Sequence, residues 1–216
     1  MSRLESDLLN YNSKYTIDGV LINKLGIKNQ DELDKAERMI TSYKLSRLYL
    51  EPIDGNFDVE HYLSIHKFLF EDIYSFAGEI RNENIKKSFP FCLPNFIYPE
   101  LDKTLKEARS KVSTITNREE LLVFITRFYS DLDVIHPFRE GNGRSLREFI
   151  RQFISYICTK NNLDEYELDY SLIESREQYI SAITKADAYL DYSELLNLFD
   201  SILVIKKKDK DYSQKM

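Results

Sequence analysis

The stretch from residue 136 to 147 carries several groups that could act on a phosphate compound. It reads His-Pro-Phe-Arg-Glu-Gly-Asn-Gly-Arg-Ser-Leu-Arg. His136 is a candidate general base, because an imidazole accepts a proton near neutral pH without strong tuning. Glu140 supplies a carboxylate of the kind that binds Mg²⁺. A base and a metal-binding acid this close together predict transfer chemistry on a phosphate.

The following residues predict an anion-binding turn. Gly141 and Gly143 let consecutive backbone N–H groups converge on one anion, and the N-terminus of the next helix adds partial positive charge. Asn142 is expected to donate its side-chain amide to an α-phosphate. Arg144 and Arg147 lie three residues apart, so both should project toward a triphosphate. Arginines at a helix N-terminus are unfavourable unless an anion offsets them, which indicates a bound polyphosphate.

The spacing of apolar residues predicts a mainly α fold. One helix is predicted from Asn117 to Ile135, with Asn117 and Glu120 as a capping pair, and it ends just before the motif. A second, buried helix follows Gly143. Further helices are predicted at residues 31–50, 59–73, 99–113, 171–186 and 192–205.

Composition limits the class of protein. A chain of 216 residues suits one domain with a small appendage. The net charge of −6 gives no general attraction to nucleic acid. The sequence shows neither an apolar run long enough for a membrane span nor a signal peptide, so a cytoplasmic protein without membrane partners is expected. Cys92 and Cys158 are interpreted as packing thiols.

Residues 136–147 match the H-x-F-x-[D/E]-G-N-G-R-x-x-R signature of the Fic family at every fixed position. The segment Phe-Ala-Gly-Glu-Ile-Arg at residues 76–81, with the helix before it, also resembles that family. The resemblance covers roughly residues 54–203. We therefore expect an N-terminal helical extension at 1–53, a Fic domain at 54–205 and a charged tail at 206–216.

The resemblance implies a helical bundle with a small β-hairpin flap over the active site. Residues 79–97 would form this flap and hold the target segment by strand-like pairing. Ser88 stands where a glycine often follows lysine, which leaves the geometry of the turn open. For the adenine pocket the resemblance indicates Gln178 and Tyr179, although Tyr179 is equally well explained by ordinary packing.

The activity that the resemblance implies is transfer of AMP from ATP, with Mg²⁺, to a serine, threonine or tyrosine hydroxyl of a target protein. Two alternatives stay open: a phosphotransferase that transfers the terminal phosphate, and a non-catalytic nucleotide-binding module. Relatives with phosphotransferase activity have an altered anion nest, so the intact Gly141-Asn142-Gly143 favours AMP transfer.

The size of the chain resembles that of the toxins of bacterial Fic toxin–antitoxin pairs, some of which inactivate type II DNA topoisomerase subunits. Many Fic proteins are inhibited by a helix with the pattern [S/T]-x-x-x-E-[G/N]. This sequence holds only near misses, at residues 75–80 and 116–121. We therefore expect a separately encoded antitoxin that places the glutamate of such a helix against Arg147.

Overall fold

A computed structural model describes residues 13–86 and 89–206 of the chain. Its fold is mainly α, as expected. Over these residues seven α-helices follow one another: α1 (Gln30–Leu50), α2 (Val59–Phe70), α3 (Pro94–Lys111), α4 (Arg118–Ile135), α5 (Asn142–Asn161), α6 (Arg176–Tyr189) and α7 (Ser193–Ile202). Two short antiparallel strand pairs accompany them: β1 (Thr16–Ile17) with β2 (Val20–Leu21), and β3 (Tyr166–Leu168) with β4 (Leu203–Ile205).

Helices α4 and α5 form the centre of the bundle, and α5 packs against α2, α4 and β3. Phe149, Ile150 and Phe153 of α5 are fully buried. Burying a side chain of this size contributes about 1.5–3 kcal/mol to the stability of the fold. The buried face of α5 therefore holds the whole helix in place, including its first turn. The motif of residues 136–147 spans the connection between α4 and α5.

The predicted capping of α4 is confirmed. The side-chain oxygen of Asn117 accepts a hydrogen bond from the Glu120 backbone N–H at 2.9 Å. The Glu120 carboxylate in turn accepts from the Thr116 N–H at 2.7 Å. These bonds satisfy backbone donors that no helical carbonyl can reach, and they fix where α4 begins.

Several predicted boundaries were wrong. Helix α3 begins at Pro94 instead of residue 99, which removes residues 94–97 from the predicted hairpin. Proline is tolerated there because the first helical residue needs no N–H partner. The helix predicted at 192–205 ends at Ile202, where the chain enters β4. The helix predicted at 171–186 is a 3₁₀ turn at Tyr170–Leu172 followed by α6.

At the predicted flap, the described residues on either side of positions 87 and 88 pair through their backbones. Lys86 and Pro90 form a single antiparallel bridge, and the Phe91 N–H donates to the Ile85 carbonyl at 3.2 Å. Ser88 lies outside the described residues, so the question of its turn geometry stays open.

Helix α1 packs on α2 and brings the N-terminal part of the chain against the bundle. The proposed division at residues 53 and 205 stays a prediction, and the tail from residue 207 onward lies outside the described residues. Within the described ranges, no helix combines the length and apolar character that a bilayer span requires.

Candidate active site

His136 lies at the C-terminal end of α4 with a left-handed backbone, at φ 47°. Its ring stacks on that of Phe91, with centroids 3.7 Å apart and planes 7° apart. Its Nδ1 lies 3.2 Å from the carbonyl oxygen of Asp133 and 3.7 Å from the Asp133 carboxylate. A proton on Nδ1 facing these oxygens leaves Nε2 as the basic nitrogen.

Arg81 joins the flap segment to the backbone around His136. Its guanidinium donates to the carbonyl oxygens of His136 at 2.8 Å, Glu83 at 2.6 Å and Cys92 at 2.6 Å. The Arg81 N–H also donates to the Pro137 carbonyl at 2.9 Å. Burial lowers the pKa of Arg81 from its usual value near 12.5, and arginine side chains keep their charge in proteins. The result is a fixed backbone beneath the candidate base.

Phe138 is fully buried and fixes the motif loop to the core. It stacks on His66, with ring centroids 3.7 Å apart. The Nδ1 of His66 accepts from the Gly78 N–H at 2.8 Å, so Nε2 carries the proton and donates to the Glu140 carbonyl at 2.9 Å. Burial lowers the pKa of His66 to about 4, which keeps the ring neutral at pH 7.

Asn142 bonds within the motif loop, and its expected donation to a phosphate stays a prediction. Its side-chain oxygen accepts from the Phe138 N–H at 2.8 Å, and its amide nitrogen donates to the Phe138 carbonyl at 2.7 Å. The side chain therefore closes the motif loop on itself, and one amide hydrogen of two is already used in doing so.

The two glycines of the motif act in different ways. Gly141 has a φ of 82°, and a Cβ there would lie 2.3 Å from the Phe70 ring, so both the backbone and the space require glycine. Gly143 instead has helical backbone within the first turn of α5. A Cβ at Gly143 would lie 3.4 Å from Nη1 of Arg147. Of the two glycines, Gly141 makes the turn, and Gly143 leaves space beside Arg147.

Glu140 has a side chain that is 42% exposed, and its Oε1 accepts from the Gly141 N–H at 2.8 Å. The same oxygen lies 3.6 Å from Nη2 of Arg144. Within the described ranges, no group of three or more His, Cys, Asp or Glu side chains could hold a metal by itself. A single carboxylate nevertheless fits Mg²⁺, which fills its remaining positions with water and substrate phosphate.

The two motif arginines do not project toward the same side, contrary to expectation. Arg144 donates through Nη2 to Oε1 of Glu37 at 2.5 Å and through Nη1 to Thr41 at 3.3 Å, both on α1. Arg147 lies on another side of α5, with its guanidinium carbon 5.5 Å from the centre of the Tyr170 ring. Arg144 is thus bonded to α1, while Arg147 faces a cleft.

That cleft has a volume of about 670 Å³ and lies between α4, α5, α6 and the flap. Its lining consists of Phe89, Phe91, Tyr129, Asp133, Gly143, Arg147, Tyr170, Ile173, Arg176, Tyr179, Ile180, Ile183, Thr184 and Asp187. Gln178, predicted to share the adenine pocket with Tyr179, lines a separate groove between α6 and α7 instead. The structure therefore brings Tyr179 to the motif and leaves Gln178 outside.

Comparison with known proteins gives the same family as the motif. A model of the Fic/DOC family matches residues 56–154. A protein of Sinorhizobium fredii, y4lH, named a probable protein adenylyltransferase, is 31% identical over 170 residues, which cover 77% of this chain and 83% of that protein. The chain belongs to the Fic/DOC family.

Two further proteins are similar to this Fic/DOC chain. VbhT of Bartonella schoenbuchensis, named a protein adenylyltransferase, is 31% identical over 184 residues, which are 83% of this chain but 36% of VbhT. The crystal structure of BepC from Bartonella tribocorum with bound AMPPNP has a TM-score of 0.75 at 24% identity and covers 89% of this chain and 97% of that one. The likeness to BepC shows that the two chains share a fold.

Some site residues of this Fic/DOC chain escaped sequence reasoning. Glu37 lies outside the matched residues 56–154, but it follows Leu33 by four positions and precedes Thr41 by four, on the buried stripe of α1. A polar residue on such a stripe needs a partner, and this was the available signal. Tyr129 and Tyr170 carried no comparable signal, because tyrosine is common in the chain and packs in many ways.

Proposed function

We propose that the chain is a protein adenylyltransferase that transfers AMP from ATP to a hydroxyl side chain of a target protein. The relatives y4lH and VbhT carry the name of this activity. The observation that carries the proposal is the convergence of the motif on one cleft. Gly143 and Arg147 line the cleft, and so does Phe91, whose ring lies against His136.

His136 would take the proton from the hydroxyl of the target as that oxygen attacks the α-phosphorus of ATP. The bond from the α-phosphorus to the bridging oxygen breaks, and pyrophosphate leaves on the opposite side. Arg147 and the first N–H groups of α5 would offset the negative charge of the phosphates. A fixed loop is what such positioning requires, and Phe138, Asn142 and Arg81 provide it.

Glu140 would hold Mg²⁺ at the mouth of the anion nest, where the ion supplies neutralisation of phosphate charge. Its carboxylate is partly exposed, and the Gly141 N–H orients it. For the base, the apolar side chains of Ile173, Ile180 and Ile183 offer a surface in the same cleft. The position of Gln178 in another groove argues against a contact with the nucleotide.

The proposal is tested by incubating the protein with a bacterial lysate and ATP labelled at either the α or the γ phosphate. We expect the α label alone to appear on a target band. His136→Ala should abolish labelling while ATP affinity stays within about tenfold, or roughly 1.4 kcal/mol, because the base acts on the hydroxyl. Transfer of the γ label would indicate a phosphotransferase, and labelling by His136→Ala would remove the general-base assignment.

At a finer level, we propose a cytoplasmic bacterial toxin that modifies type II DNA topoisomerase subunits and is held inactive by a separately encoded antitoxin. The similarity to small Fic toxins and the lack of an inhibitory pattern in the sequence support this proposal. Expression of the chain alone should arrest bacterial growth, and His136→Ala should restore it. Harmless expression combined with no modified band in a lysate would contradict the toxin proposal.

A further inference from the structure

Arg147 lies within a group of three tyrosines that come from three different elements. Tyr129 belongs to α4, Tyr170 begins the 3₁₀ turn after β3, and Tyr179 lies on α6. The ring of Tyr170 is centred 5.5 Å from the guanidinium carbon, and the Tyr179 side chain also interacts with Arg147. We call Tyr129, Tyr170 and Tyr179 the tyrosine cage.

Two hydroxyls of the tyrosine cage are joined to each other. The Tyr129 and Tyr179 oxygens lie 2.7 Å apart, which is a normal O–H···O distance. Tyr129 is 1% exposed, and its ring packs edge-on against Phe199 at 5.2 Å, so it is a fixed anchor. From this anchor the bond reaches Tyr179, whose ring lies edge-on to Tyr170 with centroids 6.3 Å apart, in the cleft that Arg147 also lines. Within the described residues the hydroxyl of Tyr170 has no hydrogen-bond partner, so Tyr170 contributes its ring.

The tyrosine cage holds a cation without cancelling its charge. Burial raises the pKa of Tyr129 and of Tyr170 well above 10, so both are neutral phenols at pH 7. Burial lowers the pKa of Arg147, but the oxygens of Tyr129, Tyr179 and Tyr170 together raise it by more. A carboxylate in their place would form a salt bridge and compete with an anionic ligand. Neutral phenol oxygens orient the guanidinium and leave its positive charge for phosphate.

We infer that Tyr129 and Tyr179 position Arg147 for the polyphosphate of the nucleotide, so that Tyr179 serves the phosphate end of the cleft and not the adenine. The inference rests on the proposed function, since it requires that the cleft bind ATP. Gly143 supports the placement, because a Cβ there would lie 3.4 Å from Nη1 of Arg147, which puts this guanidinium next to the start of α5, where backbone N–H groups bind anions. Tyr179 is therefore a positioning residue.

The test compares ATP with adenosine, which has the base and ribose but no phosphate. Tyr179→Phe removes only the hydroxyl, and Tyr179→Leu removes the ring as well. Dissociation constants for both compounds are measured by titration on the full chain. We expect both variants to bind ATP roughly threefold to tenfold more weakly, as for loss of one hydrogen bond, and to bind adenosine like the wild type.

Tyr156→Phe is the matched control, since Tyr156 is 40% exposed on α5 and its ring packs on Phe153 and Phe57, away from the cleft. It should leave both dissociation constants unchanged. Weaker adenosine binding by Tyr179→Leu, in parallel with ATP, would overturn the inference and place the ring on the base. Unchanged ATP binding by Tyr179→Phe would also overturn it. A wild-type chain that binds no ATP would instead overturn the proposed function.

Discussion

The two arginines of the motif lie in opposite surroundings, although three residues separate them on α5. Arg144 lies between two carboxylates, at 2.5 Å from Glu37 and 3.6 Å from Glu140. Arg147 lies among phenol rings and, within the described residues, forms no salt bridge with a carboxylate. The first is an ion-pair cluster at the interface with α1, and the second is a cation that faces a cleft.

This difference assigns different work to two residues that look equivalent in the sequence. The Glu37 carboxylate accepts from Arg144 and also from the Tyr74 hydroxyl, so it joins α1 to the motif and to the residues after α2. Because its charge is matched there, Arg144 is suited to fastening the loop. Arg147 keeps an unmatched charge in a half-buried position, which is the arrangement that recognises an anion.

A fall in pH should destabilise the surroundings of Arg144 before those of Arg147. Burial, and to a lesser extent Arg144, lowers the pKa of His66 from 6.5 to about 4. The unfolded chain therefore binds a proton at a higher pH than the folded chain does. The contribution of His66 to stability is complete above pH 6.5 and is lost as the pH falls to 4, by about 3 kcal/mol.

Urea unfolding of the wild type and of His66→Gln at several pH values between 7 and 4 measures this effect. The difference in unfolding free energy between the two proteins should shrink as the pH falls. Burial keeps the pKa of Tyr129 and of Tyr170 well above 10, so these two phenols stay neutral across this range. A difference that stays constant with pH would show that His66 is not the neutral, buried donor described above.

Removal of Arg147 should affect the nucleotide and not the fold. A charge-assisted hydrogen bond contributes about 1.5–3 kcal/mol, so Arg147→Ala should bind ATP roughly tenfold to a hundredfold more weakly. Titration with Mg-ATP measures this, and Arg38→Ala, an exposed arginine on α1, is the matched control. If Arg144→Ala weakens ATP binding more than Arg147→Ala does, the division of roles between the two arginines is reversed.

Local features of this molecule could be predicted from the sequence because the interacting residues are close in the chain. The cap of α4 joins Asn117 to Glu120, and the motif loop is closed by bonds from Phe138 to Asn142 and from Gly141 to Glu140. The start of α3 was misplaced because residues 79–97 were all assigned to the flap, yet Pro94 fits the first turn of a helix.

Contacts between residues far apart in the chain could not be predicted from the sequence in this way. The Arg144–Glu37 bond joins residues 107 positions apart, and the Tyr129–Tyr179 bond joins residues 50 apart. The direction in which each arginine leaves α5 is decided by which of these partners the packing brings near. Two arginines at i and i+3 were therefore assigned a common ligand, although their neighbours come from helices at different sides of α5.

Disruption of the ion-pair cluster should lower the free energy of unfolding while leaving nucleotide binding nearly intact. Glu37→Gln keeps the shape of the side chain but removes the charge that matches Arg144, and the side chains are 10% and 20% exposed. Because solvent partly screens the pair, we expect a loss of about 1–2 kcal/mol in unfolding free energy. Arg144→Gln should cost a similar amount, and the double variant should cost less than the sum, with a coupling of at least about 0.5 kcal/mol. ATP affinity of Glu37→Gln should stay within about threefold of the wild type, since Arg147 is untouched.

A coupling near zero would show that the pair is not what fastens α1 to the motif. A clear gain in ATP affinity on Glu37→Gln would mean that Glu37 competes with phosphate for Arg144, and the two arginines would then share one ligand after all.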